Sequence, residues 1–229
     1  MLIGINHNWT LNISSTELQN EYNEIYDLGV YLLSTYSNKT FIINQWEGDW
    51  ALLGNFLERT EIPSYRAERM AANIAVRQRA VEAARKAVTS TSVLLHSVEV
   101  NRCLDPYGLR VHRDVFPIIK PDIVSFSLYE AINTWSTQVT TEANIQELFT
   151  KAIKTVRRQV GNYIPMMVGE YGWPENDSNF LFNNLSVAPL IQKVTDIANA
   201  NNFTDMFYWQ IYDNEEISPR KPKRVLPNR

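Results

Sequence analysis

The chain has 229 residues, 45% of them hydrophobic and 11% aromatic, which is enough for one domain with a sizeable apolar core. A formal net charge of -3 gives no electrostatic case for nucleic acid, and one cysteine, Cys103, excludes an internal disulfide. The histidines His7, His96 and His112 lack helical metal-ligand spacing, so no metal is expected, and no apolar run reaches the roughly 20 residues of a membrane span.

The first predicted helix runs from about Thr16 to Thr35, opened by a capping-box signature in Ser14 and Glu17. Leu18, Tyr22, Ile25, Leu28 and Leu32 fall on one of its faces. A strand follows at Phe41–Gln45, then a loop, Trp46-Glu47-Gly48-Asp49-Trp50. The spacing of Met70, Ile74, Val81 and Val88 predicts a long helix over 64–88. Val93–Val100 reads as the second strand, and the turn residues Asp105-Pro106-Tyr107-Gly108 lead to a third at Ile123–Leu128.

Ile145, Leu148, Phe149, Ala152, Ile153 and Val156 mark an amphipathic helix. A strand at Ile164–Val168 runs into Gly169-Glu170-Tyr171-Gly172-Trp173. A helix over 187–199 and a last strand at Met206–Ile211 complete the ordered part. Residues 1–216 are expected to form the domain and 217–229 a basic, proline-rich, disordered tail. Strands alternating with helices predict a parallel α/β sheet, either a barrel or an open doubly wound sheet. No glycine-rich nucleotide loop is present to support the second.

Polar and aromatic residues gather at the strand C-termini, which is the catalytic rim in a barrel. Glu47 follows one apolar strand directly, between two tryptophans that would suit a sugar face or could equally be buried. Asp49 reads as a loop-capping group and His96 as a core histidine. Glu170 ends another strand with Gly169 and Gly172 near it, and a carboxylate there can point into a barrel mouth. Two carboxylates on one rim suit glycoside hydrolysis, one attacking the anomeric carbon and one protonating the leaving oxygen.

Gly169-Glu170-Tyr171-Gly172-Trp173 resembles the seventh-strand motif of clan A retaining glycoside hydrolases, the cellulase and mannanase group. Asn44-Gln45-Trp46-Glu47 stands where that family has its fourth-strand Asn-Glu pair. The resemblance implies a TIM (β/α)8-barrel fold, here covering about strands four to eight. It implies Glu170 as nucleophile and Glu47 as acid/base. It also implies Tyr129 as the hydrogen-bond donor to the nucleophile and Trp209 as the floor of the sugar site. Trp46, Trp173, Asn44, Gln45 and Asn101 complete the expected substrate contacts. No cofactor is implied, and the partner is a carbohydrate.

The chain departs from the family pattern in two ways. Gln45 and Trp46 separate Asn44 from Glu47, so either Gln45 takes the Asn role, the loop is remodelled, or Glu99 is the acid. The first three strands of the barrel are not represented, which predicts a truncated, weakly active enzyme or a carbohydrate-binding remnant. Open sheet edges would then favour self-association. Asn-x-Ser/Thr acceptors at Asn8, Asn12, Asn38, Asn176, Asn184 and Asn202 point to the secretory pathway, although no signal peptide is visible.

Overall fold

A computed structural model describes residues 13–54, 62–132, 141–173 and 187–209. The expected tail at 217–229 lies outside the described residues, as do the acceptors Asn8, Asn12, Asn176 and Asn184.

Five strands form one sheet: β1 (Thr40–Gln45), β2 (Val93–Val100), β3 (Ile123–Ser127), β4 (Met166–Tyr171) and β5 (Phe203–Tyr208). Every pairing is parallel and the spatial order is the chain order. A doubly wound sheet must reverse its strand order at a switch point, whereas a barrel adds each strand beside the last. The topology is therefore that of a partial TIM barrel.

Helix α1 (Ser15–Thr35) precedes β1. Its capping box is formed: the Glu17 amide donates to Ser14 Oγ at 3.2 Å and the Ser14 amide to Glu17 Oε2 at 2.7 Å. Glu21, Ile25, Gly29 and Leu33, four residues apart, are its buried stripe. A Cβ on Gly29 would lie 2.7 Å from the Ala84 Cβ and 2.9 Å from Leu94 Cδ2, so the absence of a side chain lets α1 close on the next layer.

Between β1 and β2 lie the short α2 (Gly48–Leu53), where the sequence suggests only loop, and α3 (Tyr65–Ala87). Helix α3 buries polar as well as apolar side chains. Arg77 donates to Glu21 Oε1 at 2.5 Å and to Gln45 Oε1 at 2.7 Å, locking α1, α3 and β1 together. His96 meets Gln78 Oε1 at 3.1 Å, and burial, ahead of the nearby Arg77 charge, lowers its pKa to about 3. It is a neutral core histidine, as its apolar setting suggests.

One π-helical turn (Val111–Val115) separates β2 from β3. Helix α4 (Glu142–Val160) is capped by Thr141, whose Oγ1 accepts the Asn144 amide at 3.1 Å. Its apolar face meets the sheet at a cluster of Phe126, Phe149 and Phe203, with ring centroids 5.5–6.3 Å apart. Helix α5 (Ala188–Ala200) covers β4 and β5 with Leu190, Val194 and Ile197.

Alternation along the strands gives the sheet two different faces. Val98, Val124, Phe126, Met166 and Val168 join the apolar core under the helices. Asn44, Ser97, Glu99 and Ser125 face the other way and hydrogen-bond to one another across three strands. Strand β5 begins three residues earlier than the sequence suggests, so Trp209 follows it rather than lying within it. Phe207 is more than half exposed on this strand.

Candidate active site

The C-terminal ends of β1, β2 and β4 bring three carboxyl groups into one cluster: Glu47, Glu99 and Glu170. Each is placed by a different local device.

Glu170 owes its direction to a β-bulge. Ser125 is opposite Met167 and Phe126 opposite Val168, but Ser127 is opposite Glu170, leaving Gly169 as an extra residue on β4. Without it, strict alternation would send Glu170 towards the helices, because Val168 points there. With it, Glu170 takes the inward parity of Ser127. A Cβ on Gly169 would come within 2.1 Å of Ser125 Oγ and 2.6 Å of Glu99 Oε2, so any side chain here would force Ser125 and Glu99 to move. The strand runs on to Tyr171, so Glu170 lies inside β4 rather than just past a strand ending at Val168.

Both oxygens of Glu170 are engaged. The Tyr129 hydroxyl donates to Oε1 at 2.7 Å, and the Trp46 indole donates to Oε2 at 3.1 Å. Burial first, then the bond to Glu170 and the negative charge around it, raise the pKa of the Tyr129 phenol and keep it a donor.

Glu47 adopts a left-handed backbone, φ 48° and ψ 51°, at the start of α2. That conformation costs an L-residue about 1–2 kcal/mol, and it persists here because its neighbours fix it. The Glu47 amide donates to Glu99 Oε1 at 2.9 Å, and the Glu47 carbonyl accepts the Ala51 amide at 2.8 Å. Partial burial, and then the charge of Glu170, hold the Glu47 carboxyl above the usual carboxylate range.

Glu99 is 0% exposed. Besides the Glu47 amide it accepts Ser125 Oγ at 2.9 Å and the Asn44 amide nitrogen at 3.4 Å. Burial pushes its carboxyl up to about 7, against the lowering pull of these donors. Its carboxyl lies against Gly169 and is shielded from water.

Of the expected substrate contacts, Trp46 and Trp209 are 41% and 54% exposed and stand at the same end of the sheet. Asn44 is buried on the inner face, with its carbonyl accepting Ser97 Oγ and its amide reaching Glu99. The other three expected contacts are engaged elsewhere. Gln45 has the opposite parity to Asn44 and accepts Arg77 on the helix side, so it cannot replace Asn44 in a site. Asn101 is turned into the loop, where its Oδ1 accepts the Asp49 amide at 3.1 Å. Trp173 is 3% exposed and packs edge-on to Tyr171 within the apolar core, leaving no face for a sugar.

Asp49 is the loop-tying group its position suggests: it accepts the amides of Asn101, Arg102 and Val111 at 2.7–2.9 Å. Trp50 is covered by the Arg102 guanidinium, 4.9 Å from the ring centre. Ser97 and Ser125 also support the cluster and do not stand out in the sequence, and neither does the space-making role of Gly169. Their signal is small residues at every second position of otherwise apolar strands. Among the described residues, no group of three or more His, Cys, Asp or Glu side chains could hold a metal ion.

No family model matches the chain, and no curated protein matches it. Among solved structures it is similar to a fungal β-1,4-galactanase, with a TM-score of 0.57 at 11% sequence identity. The match covers 87% of this chain and 60% of the galactanase, so the chain spans under two thirds of that protein's length. At this identity the likeness establishes the glycosidase-like barrel fold alone.

Proposed function

We propose that this chain carries the catalytic half of a retaining β-glycoside hydrolase, with Glu170 as nucleophile and Glu47 as acid/base. Glu170 attacks the anomeric carbon and forms a glycosyl ester while Glu47 gives its proton to the departing oxygen. Glu47 then takes a proton from the water that cleaves the ester and regenerates Glu170. Tyr129 holds Oε1, and the sugar takes the place of the Trp46 indole at Oε2. Trp209 supplies an exposed aromatic face to a sugar ring.

The observation that carries the reading is the pair Glu47 and Glu170 on one rim, with the charge of Glu170 helping to keep Glu47 protonated. That is the division between acid and nucleophile that the reaction requires. The galactanase likeness adds a β-linked polysaccharide as the substrate class, and the exposed acceptors Asn38 and Asn202 suit a secreted protein.

A second reading is carbohydrate binding without turnover. It is favoured by the open sheet, since β1 and β5 have one neighbour each among the described residues. The test is hydrolysis of aryl β-glycosides, β-glucan, mannan and β-1,4-galactan, with product anomers followed by NMR. Turnover with retained configuration that disappears in E170Q supports the hydrolase. Binding seen by tryptophan fluorescence, with no turnover in either form, supports the binding module. Turnover unchanged in E170Q would sink the assignment.

A further inference from the structure

We propose that Glu99 is a positioning residue for Glu47, gripping its backbone from inside the barrel so that the Glu47 carboxyl is aimed at the anomeric oxygen. This rests on the reading of Glu47 as the acid/base.

The geometry is that of a buried clamp. Glu99 projects from β2 onto the inner face, where its carboxyl is shielded from water. One oxygen accepts the Glu47 amide at 2.9 Å. The other is fixed by Ser125 Oγ at 2.9 Å from β3 and by the Asn44 side chain at 3.4 Å from β1. Gly169, next to Glu170, leaves the space that this second oxygen occupies. One carboxyl thus bonds to β1, β3 and the Glu47 turn, and lies against the residue preceding Glu170.

Nothing else described holds the Glu47 amide, and the left-handed turn it belongs to is one that a glutamate does not adopt unaided. The two intervening residues that separate Asn44 from Glu47 make the clamp necessary. They carry Glu47 off the end of β1, beyond the ladder hydrogen bonds that end at Gln45. What matters in this role is the reach of an acceptor oxygen, not its charge. That separates a clamp from an acid.

The test uses the full chain with E99Q, E99L and E99D. Glutamine keeps an acceptor at the same reach, leucine removes it, and aspartate keeps the charge but shortens the reach. Two quantities are read: hydrogen exchange of the Glu47 amide, and kcat with KM on 4-nitrophenyl β-glycosides. In E99L and E99D the amide should exchange about 10-fold faster, and kcat should fall about 100-fold with KM little changed. E99Q should keep the amide protected and recover most of the rate.

Should E99L fail to fold, the contrast between E99Q and E99D decides. An amide as protected in E99D as in the wild type would overturn the proposal. So would an E99Q enzyme as slow as E99L and rescued by azide, because Glu99 would then be the acid itself. Absence of turnover in the wild type removes the hydrolase reading but leaves the exchange measurement to decide on the clamp.

Discussion

The E99Q substitution makes a quantitative prediction about stability that is independent of any activity. The Glu99 carboxyl is raised from 4.5 to about 7, chiefly by burial. A raised carboxyl binds its proton more tightly in the folded chain than in the unfolded one. Between pH 4.5 and 7 the folded state therefore holds the extra proton, and stability falls as pH rises through that window. Below 4.5 both states are protonated, and above 7 both are charged, so the loss is confined between them. The gap corresponds to about 3 kcal/mol. Glutamine keeps the shape and never ionises, so E99Q should match the wild type near pH 4 and exceed it at pH 8 by about that amount. Urea unfolding at half-unit pH steps reads the difference between the two proteins, and other titrating groups cancel in it. A difference that is flat from pH 4 to pH 8 would refute the argument, because Glu99 would then be ionised as readily as a surface carboxylate.

Three further predictions concern different parts of the molecule. E170Q should lower the Glu47 pKa as followed by carboxyl carbon shifts, but not to the ordinary value, because the burial of Glu47, its larger cause, remains. An unchanged Glu47 would mean that the two carboxyls are uncoupled. E21L strips Arg77 of its buried ionic partner and should cost about 3–5 kcal/mol in urea unfolding. Adding R77M to E21L removes the unpaired charge and should restore part of that loss, with Gln45 losing its donor; no recovery would show that the loss is not the cost of an unpaired buried charge. G169A forces a methyl group to within 2.1 Å of Ser125 Oγ. It should reduce kcat by about 100-fold or more, and the double change G169A/S125A should recover part of the rate; no effect of G169A would contradict the bulge geometry.

Much of the fold is legible in the sequence because buried elements obey strict patterns. Strand β2 has the same bounds in both, since all but its first residues are covered by neighbouring layers. Helix α1 is announced by Ser14 and Glu17, and α4 by apolar residues that fall on one face. Where the constraint weakens, so does the signal. Strand β5 has one neighbour among the described residues and exposed residues at Thr204, Asp205, Phe207 and Tyr208, so no alternation marks its start. Helix α2 is six residues long and owes its existence to Asp49, whose partners come from a loop more than fifty positions away. Trp173 follows Glu170 closely enough to suggest a sugar platform, yet its indole fills the core against Tyr171. Gln45 and Asn44 are adjacent, and only the parity of β1 relative to α3 decides which of them faces inward.

The parity of Glu170 is the deepest case of this kind. A motif with glycine before the glutamate suggests a flexible approach to the rim, but the glycine does something more specific. Counting by twos from Met167 assigns the inward direction to Gly169 and the outward direction to Glu170. One unpaired residue changes the count, and both then face inward, where a side chain on the first would strike Ser125 and Glu99. The same vacancy that re-aims Glu170 therefore makes room for the buried carboxyl beneath it. Bulge, glycine and Glu99 form one solution: an extra residue in β4 turns the candidate nucleophile, its missing Cβ admits Glu99, and Glu99 reaches across β1 to the amide of Glu47. Two acidic groups separated by more than a hundred positions are thereby set by a single local irregularity, and a sequence reading can find the acids without finding what aims them.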